Sequence, residues 1–277
     1  MAKEQFFLAA SKGILDLIDA AGDKAGLSRG QAFDDFLTLV RCCLAGQTME
    51  EEYLATVHKG YDKGPKGKRG IDFIVQAFAE LVNAMEESGQ DILGDIFTGG
   101  ITYGERGQFF TPDGVAQLMA DLTVFDTDDK ERRTVNDPAC GSGRFLLAVA
   151  KKHRNCEFIG QDVDHRCTQM TAINLGLNGL YGWAVWQNTL TMEVFRVYKI
   201  GLNLTGGVIR EVKPENSPFN YATANSQKAE LANKQESVSS ETNVEPSRDP
   251  AKEKGKQAVS QSDPNDAALG PSQLDLF

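Results

Sequence analysis

Zinc-type cysteine pairs are missing from this 277-residue sequence, which has five cysteines and three histidines and no spacing that sets two pairs against each other. That excludes a zinc ribbon, and an odd cysteine count argues against a disulfide scaffold. A reducing, cytoplasmic setting is expected. No apolar run approaches about 18 residues and no signal-peptide pattern opens the chain, so membrane spanning and secretion are not expected. Basic excess is also lacking: 29 Lys and Arg stand against 39 Asp and Glu, a formal charge of -10. Contact with phosphate would need a local patch. The best candidate is Lys59, Lys63, Lys66, Lys68 and Arg69, in a Gly-rich stretch that reads first as a solvated loop. From about residue 222 aromatics vanish until Phe277, and Ser, Glu, Lys, Asn, Gln, Pro and Ala dominate. Such a segment buries too little apolar surface to offset its chain entropy, and a disordered tail is predicted.

A hydrophobic content of 41% is enough for a core, and the length suits one large domain or two small ones. Residues 1 to about 100 read as helices. Phe6, Phe7, Ile14, Leu15, Leu17 and Ile18 fall on one broad face. Ser28 is a candidate cap for a second helix striped by Phe33, Phe36, Leu37, Val40 and Leu44. A third helix is predicted from Ile71 to Glu87.

Beyond residue 107 helix and strand signals alternate. Thr111-Pro112 suits a helix start, with Thr as cap, Pro at the first helical position, and Val115, Leu118, Met119 and Leu122 at helical spacing. Strands are predicted at 134–136, 157–161 and 181–185, with helices at 144–152 and 165–177 between them. This order implies a parallel sheet with right-handed crossovers, hence an α/β fold. A hairpin over 202–212 is expected to turn at Gly206-Gly207.

The most informative run is Asn136-Asp137-Pro138-Ala139-Cys140-Gly141-Ser142-Gly143-Arg144-Phe145-Leu146. A strand that ends in an acid and passes through Gly-x-Gly into a helix lets the backbone turn sharply beside a ligand. The third glycine of the NAD pattern G-x-G-x-x-G is absent, which disfavours a dinucleotide-dependent oxidoreductase. An acid at the head of the turn suits a cationic group, so Asp137 is a candidate for an ammonium. The second strand ends in Asp162, where an acid can accept both hydroxyls of a ribose. The plainer reading makes Asp162 or Asp164 the cap of the next helix.

With Gly107-Gln108-Phe109-Phe110-Thr111-Pro112 before it and Phe158-Ile159-Gly160-Gln161-Asp162 after it, this run resembles the N6-adenine DNA methylase family, which includes modification subunits of type I restriction systems. Asp91-Ile92-Leu93-Gly94-Asp95-Ile96-Phe97 resembles the segment that precedes the turn in that family. Asn174-Leu175-Gly176-Leu177 resembles its helix after the second strand, a packing element. The resemblance covers roughly residues 70 to 190. It implies a Rossmann-like methyltransferase fold, incomplete here, with S-adenosylmethionine as cofactor. Phe110, Thr111 and Pro112 are then expected at its methionine part, Asp137, Ala139, Gly141 and Gly143 at the glycine turn, and Asp162 at its ribose.

The sequence departs from the family twice. Gln187-Asn188-Thr189-Leu190 stands where Gly-Asp-Thr-Leu is usual, so Asn188 brings an amide to a cofactor position in place of a charge. The catalytic Asn-Pro-Pro-Phe has Asn216-Ser217-Pro218-Phe219 as its nearest match. Asn216, the Ser217 carbonyl and Phe219 are therefore the candidates for holding a flipped adenine. Charged residues precede them, and a linker turn is the plainer reading. The last residues, Gln273, Leu274, Asp275, Leu276 and Phe277, resemble the bacterial sliding-clamp binding peptide, with Leu274, Leu276 and Phe277 as apolar anchors and Gln273 as a polar clip. A flexible tail of ~50 residues would span on the order of 40 Å, and tethering raises effective concentration.

The organisation expected is a helical region over 1–100, a cofactor-binding domain over 101–213, a linker over 214–272 and a clamp-binding peptide over 273–277. The leading expectation is an S-adenosylmethionine-dependent DNA adenine-N6 methyltransferase of restriction-modification type. DNA, the clamp and a specificity or catalytic subunit are its expected partners. The rival is a catalytically inactive, cofactor-binding accessory protein recruited to the clamp.

Overall fold

The computed structural model describes residues 4–102, 111–123, 132–204 and 206–220. Phe110 and Gln273 to Phe277 lie outside them. The N-terminal half is helical: α1 (Ala9–Ala25), α2 (Arg29–Ala45), α3 (Glu50–Val57), α4 (Gly70–Ser88) and α5 (Ile92–Ile96). The stripes foreseen in α1, α2 and α4 point inward, except at Phe7, which precedes α1 and is exposed. Ile14, Leu15, Phe33, Phe36, Leu37, Ile74 and Leu81 are buried in one core, where each large apolar side chain contributes about 1.5–3 kcal/mol. Ser28 accepts the Gln31 N–H while the Gln31 side chain reaches back to the Ser28 N–H, a reciprocal cap on α2. The N-cap of α1, Leu8, offers no side-chain oxygen. The buried Asp95 replaces it, accepting the Phe7 and Leu8 N–H groups at 3.0 Å each and the Ser11 hydroxyl at 2.6 Å.

The second half holds α6 (Asp113–Thr123), β1 (Thr134–Asp137), α7 (Arg144–Ala150), β2 (Glu157–Asp162), α8 (His165–Leu177), β3 (Tyr181–Asn188), β4 (Glu193–Asn203) and β5 (Gly206–Val212). The five strands form one sheet in the order β1-β2-β3-β4-β5. The first three run parallel, linked by α7 and α8, and the last two are antiparallel. The predicted α/β alternation is therefore present. The predicted hairpin exists with a different turn. Gly206 and Gly207 pair with Asn203 and Leu202 as the first residues of β5, so the reversal falls before them. Pro112 is one place earlier than expected: its carbonyl accepts the Val115 and Ala116 N–H groups, and the helix proper begins at Asp113.

Along the strands, alternate residues face opposite layers. Phe158, Ala184, Tyr198, Ile200 and Ile209 join the helical core. Trp183, Val185 and Val197 form a smaller cluster closed by Phe219. In α6 the periodicity is as predicted but the buried face is not the expected one. Ala116 and Ala120 face inward, while Val115, Leu118, Met119 and Leu122 remain exposed.

A polar seam fastens α2 to the sheet. Arg41 is wholly buried; it donates to Gln169 at 3.0 Å and Glu52 at 2.7 Å, and its guanidinium lies 5.0 Å from the centre of the Tyr198 ring. The Tyr198 hydroxyl is 2.8 Å from His165 Nε2, and His165 stacks on Trp186. Burial, then the cationic Arg196 and Arg41, pulls the His165 pKa down from 6.5 to about 4. Between those values the unfolded chain takes up a proton that the folded protein refuses, so stability falls as pH drops from 6.5 towards about 4. A His165→Gln variant is expected to lose less stability across that window, as measured by denaturant unfolding at a series of pH values.

Candidate functional site

The parallel strands end together, and the loops after β1 and β2 enclose a cleft of about 260 Å³. Thr111, Asp137, Ala139, Gly141 and Asp162, all singled out from the sequence, line it together. Gly143 lies behind the turn, against Thr171. Pro112 borders a neighbouring cavity with Asp95 and Arg144. Asn188 is not among the lining residues; its side-chain oxygen accepts the Leu190 and Thr191 N–H groups at 3.0 and 3.3 Å, closing its own turn.

The turn has the backbone that its glycines allow. Gly141 and Gly143 take φ of 53° and 83°, and Gly143 becomes the N-cap of α7. Asp162 is not the cap of α8. Asp164 holds that position and accepts the Arg166 N–H at 2.9 Å. The Asp162 carboxylate instead reaches across to the glycine turn. One oxygen accepts the Gly141 N–H at 2.9 Å and the other the Asp164 N–H at 2.8 Å. Asp137 accepts the Ala139 N–H at 3.2 Å. Both carboxylates keep lone pairs for a ligand.

Electrostatically the cleft is acidic. Burial, opposed by backbone hydrogen bonds, raises the pKa of Asp137 and of Asp162 above the ordinary carboxylate value. The charge of Asp162 adds to the effect on Asp137. A cationic ligand that also offers hydroxyl groups would relieve both. Sequence reasoning gave no role to Cys140, Arg144, Phe145, Val163 and Cys167, which complete the lining. Val163 was the most legible of these, being the apolar residue directly after the strand-end acid. Burial pushes the Cys140 and Cys167 thiols well up, which rules against their use as nucleophiles.

The tetrapeptide lies elsewhere. Asn216 is exposed at the end of a 3₁₀ turn, and the Ser217 hydroxyl donates to the Pro214 carbonyl at 2.8 Å. Phe219 is buried edge-on against Trp183, with 5.7 Å between ring centres, and the Trp183 indole donates to Glu157 at the start of β2. Asp162 is at the other end of that strand, roughly 17 Å away at the usual rise per residue. None of the three lines the cleft. In the basic stretch, Lys59 pairs with Asp35 and Arg69 with Asp72, so part of its charge serves the fold.

The chain belongs to the N-6 DNA Methylase family, whose model matches residues 88–246. It is similar to the methylase subunit of type I restriction enzyme MjaIX from Methanocaldococcus jannaschii, with 27% identity over 153 residues, 49% of this chain and 26% of that protein. It is similar too to the MpnII methylase subunit from Mycoplasma pneumoniae, with 28% identity over 134 residues, 45% of this chain and 24% of that one. The chain thus spans about a quarter of the length of these curated relatives. A solved type I restriction-modification methyltransferase subunit from Streptococcus thermophilus matches at 16% identity with a TM-score of 0.35, over 64% of this chain and 57% of that one.

Asp137 ionises less readily in the folded protein than in the unfolded chain, so its charge costs stability above both pKa values. An Asp137→Asn variant is therefore expected to melt at higher temperature than the parent near neutral pH. The difference should shrink on acidification and vanish below the unfolded-state value. Thermal scans between about pH 3 and about pH 8 check this.

Proposed function

We propose that the chain binds S-adenosylmethionine in the cleft between the β1 and β2 loops and serves DNA adenine-N6 methylation of the restriction-modification type. The observation that carries the reading is the meeting of Asp137, Asp162 and the glycine turn around one cavity. A raised carboxylate at the head of the turn suits the methionine ammonium, and the strand-end carboxylate suits the ribose hydroxyls. Thr111 would stand over the methionine part. Membership of the family supports the chemistry and DNA as substrate, and the names of the relatives, each a methylase subunit of a restriction enzyme, support a partner subunit, here proposed to be a specificity subunit.

A second reading, a cofactor-binding accessory protein without transfer activity, is favoured by one observation. The sole sequence candidates for the target base, Asn216, Ser217 and Phe219, line no part of the cleft. A partner chain that supplies the base contacts reconciles the two readings. Recruitment to a bacterial sliding clamp through Gln273, Leu274, Leu276 and Phe277 belongs to this proposal. It rests on the peptide pattern alone, which lies outside the described residues.

Titration calorimetry with S-adenosylmethionine is expected to show saturable binding. Asp162→Asn, which loses charge-assisted hydrogen bonds of roughly 1.5–3 kcal/mol, should weaken it about tenfold to a hundredfold. No binding by the parent protein rejects the cofactor reading. Labelled methyl transfer to DNA, assayed alone and with a specificity subunit, separates the enzyme from the accessory protein: binding without transfer in both arms supports the latter. Deleting residues 273–277 is expected to abolish capture by immobilised sliding clamp, and persistent capture rejects that assignment.

A further inference from the structure

Segment 91–97 is a motif of the sequence to which the cofactor reading gives no role. In the fold it lies behind the glycine turn. Asp91 is 2% exposed, and its carboxylate receives four donors. One oxygen accepts the Gly94 N–H and the Asn174 side-chain N–H, each at 2.8 Å. The other accepts the Ser142 hydroxyl and Arg144 Nε, the latter at 3.0 Å. Ser142 is the residue between the two turn glycines, and Arg144 follows the second. Asn174 donates also to the Ser142 carbonyl at 2.8 Å, so the turn is gripped from its side chain and its backbone.

Packing enforces the same register. A Cβ on Gly94 would lie 2.0 Å from the Asp91 carboxylate and 2.5 Å from the Ser142 hydroxyl, so only glycine lets α5 press this close. On the far side, Arg144 ties the anchor to the cleft rim. It donates to the Thr111 carbonyl at 2.9 Å and pairs with Asp113 at 3.1 Å. A single buried carboxylate thus connects the glycine turn, through Arg144, with Thr111, another residue of the cleft lining.

We propose that Asp91 is a positioning residue for the cofactor: it touches no ligand, and it holds the Gly141–Gly143 turn and, through Arg144, the Thr111 backbone where the ligand requires them. The inference rests on the S-adenosylmethionine reading. A carboxylate is needed because every group that faces it donates. An amide in its place turns one acceptor into a donor against other donors.

Asp95 supplies an internal control. It is an equally buried carboxylate on the same short helix, but its donors are Phe7, Leu8 and Ser11, none of them in the turn. Asp91→Asn and Asp95→Asn should both lower the melting temperature of the full-length protein. Only Asp91→Asn should weaken S-adenosylmethionine binding in calorimetry, by roughly tenfold or more, the cost of a misplaced binding group. Asp95→Asn should leave the affinity unchanged. The milder pair Ser142→Ala and Ser11→Ala, each removing one hydroxyl donor, repeats the comparison should an aspartate variant fail to fold. Equal losses of affinity across a pair, or parent-like affinity in Asp91→Asn and Ser142→Ala, overturn the proposal. Absence of binding by the parent protein overturns the cofactor reading itself, and is seen before any variant is compared.

Discussion

The hydrogen bonds from Gly141 and Asp164 to the two oxygens of Asp162 are the constraint on which the site depends. The Gly141 bond ties the turn after β1 to the tip of β2, the Asp164 bond fixes the carboxylate on its own strand end, and the Cys140 N–H adds a second tie by donating to the Gln161 carbonyl at 2.9 Å. Together with the Asp91 anchor behind the turn, that clasp sets the distance between the two loops that border the cleft. The same carboxylate is left above its ordinary pKa, a sign that the backbone donors do not fully offset what burial costs it. The site is therefore held in shape by a group that is itself incompletely satisfied.

A second tier of buried carboxylates supports the first. Asp95 closes the N-terminus of α1, and Asp91 fixes the glycine turn, so a five-residue helix joins the helical half of the molecule to the sheet. Buried charge of this kind is tolerated because each oxygen is met by well-directed donors. Arg41 repeats the arrangement with the opposite sign, its guanidinium shared between Gln169, Glu52 and the face of Tyr198. The helices and the sheet share one apolar core, and these polar contacts set the register in which its elements meet.

Much of this was legible in the sequence, and the gaps have physical causes. The bounds of α8 were readable to the residue because an aspartate cap precedes it and its last turn meets Asn178 and Gly179. The meeting of Asp137 and Asp162 at one cleft was readable because strand ends and glycine turns have local signatures. β4 was missed because apolar residues occupy both of its faces: Val197 and Tyr198 are adjacent and both buried, which erases the alternation of a half-exposed strand. α3 was missed because Glu50–Val57 is short and opens with three glutamates. In α6 the stripe was real, but small alanines pack where large side chains were expected. Asp91 was visible only as part of a family pattern. Three of its four partners stand 51, 53 and 83 positions away, and no periodicity links them.

The two cysteines that border the cleft have a consequence for any reactive sulfonium seated there. A methyl donor is an electrophile, and a thiolate within reach would take the methyl group irreversibly. Burial keeps Cys140 and Cys167 protonated, and a protonated thiol is a poor nucleophile. The walls thus give their polarisable sulfur to packing, and desolvation lowers their reactivity toward any methyl donor seated there.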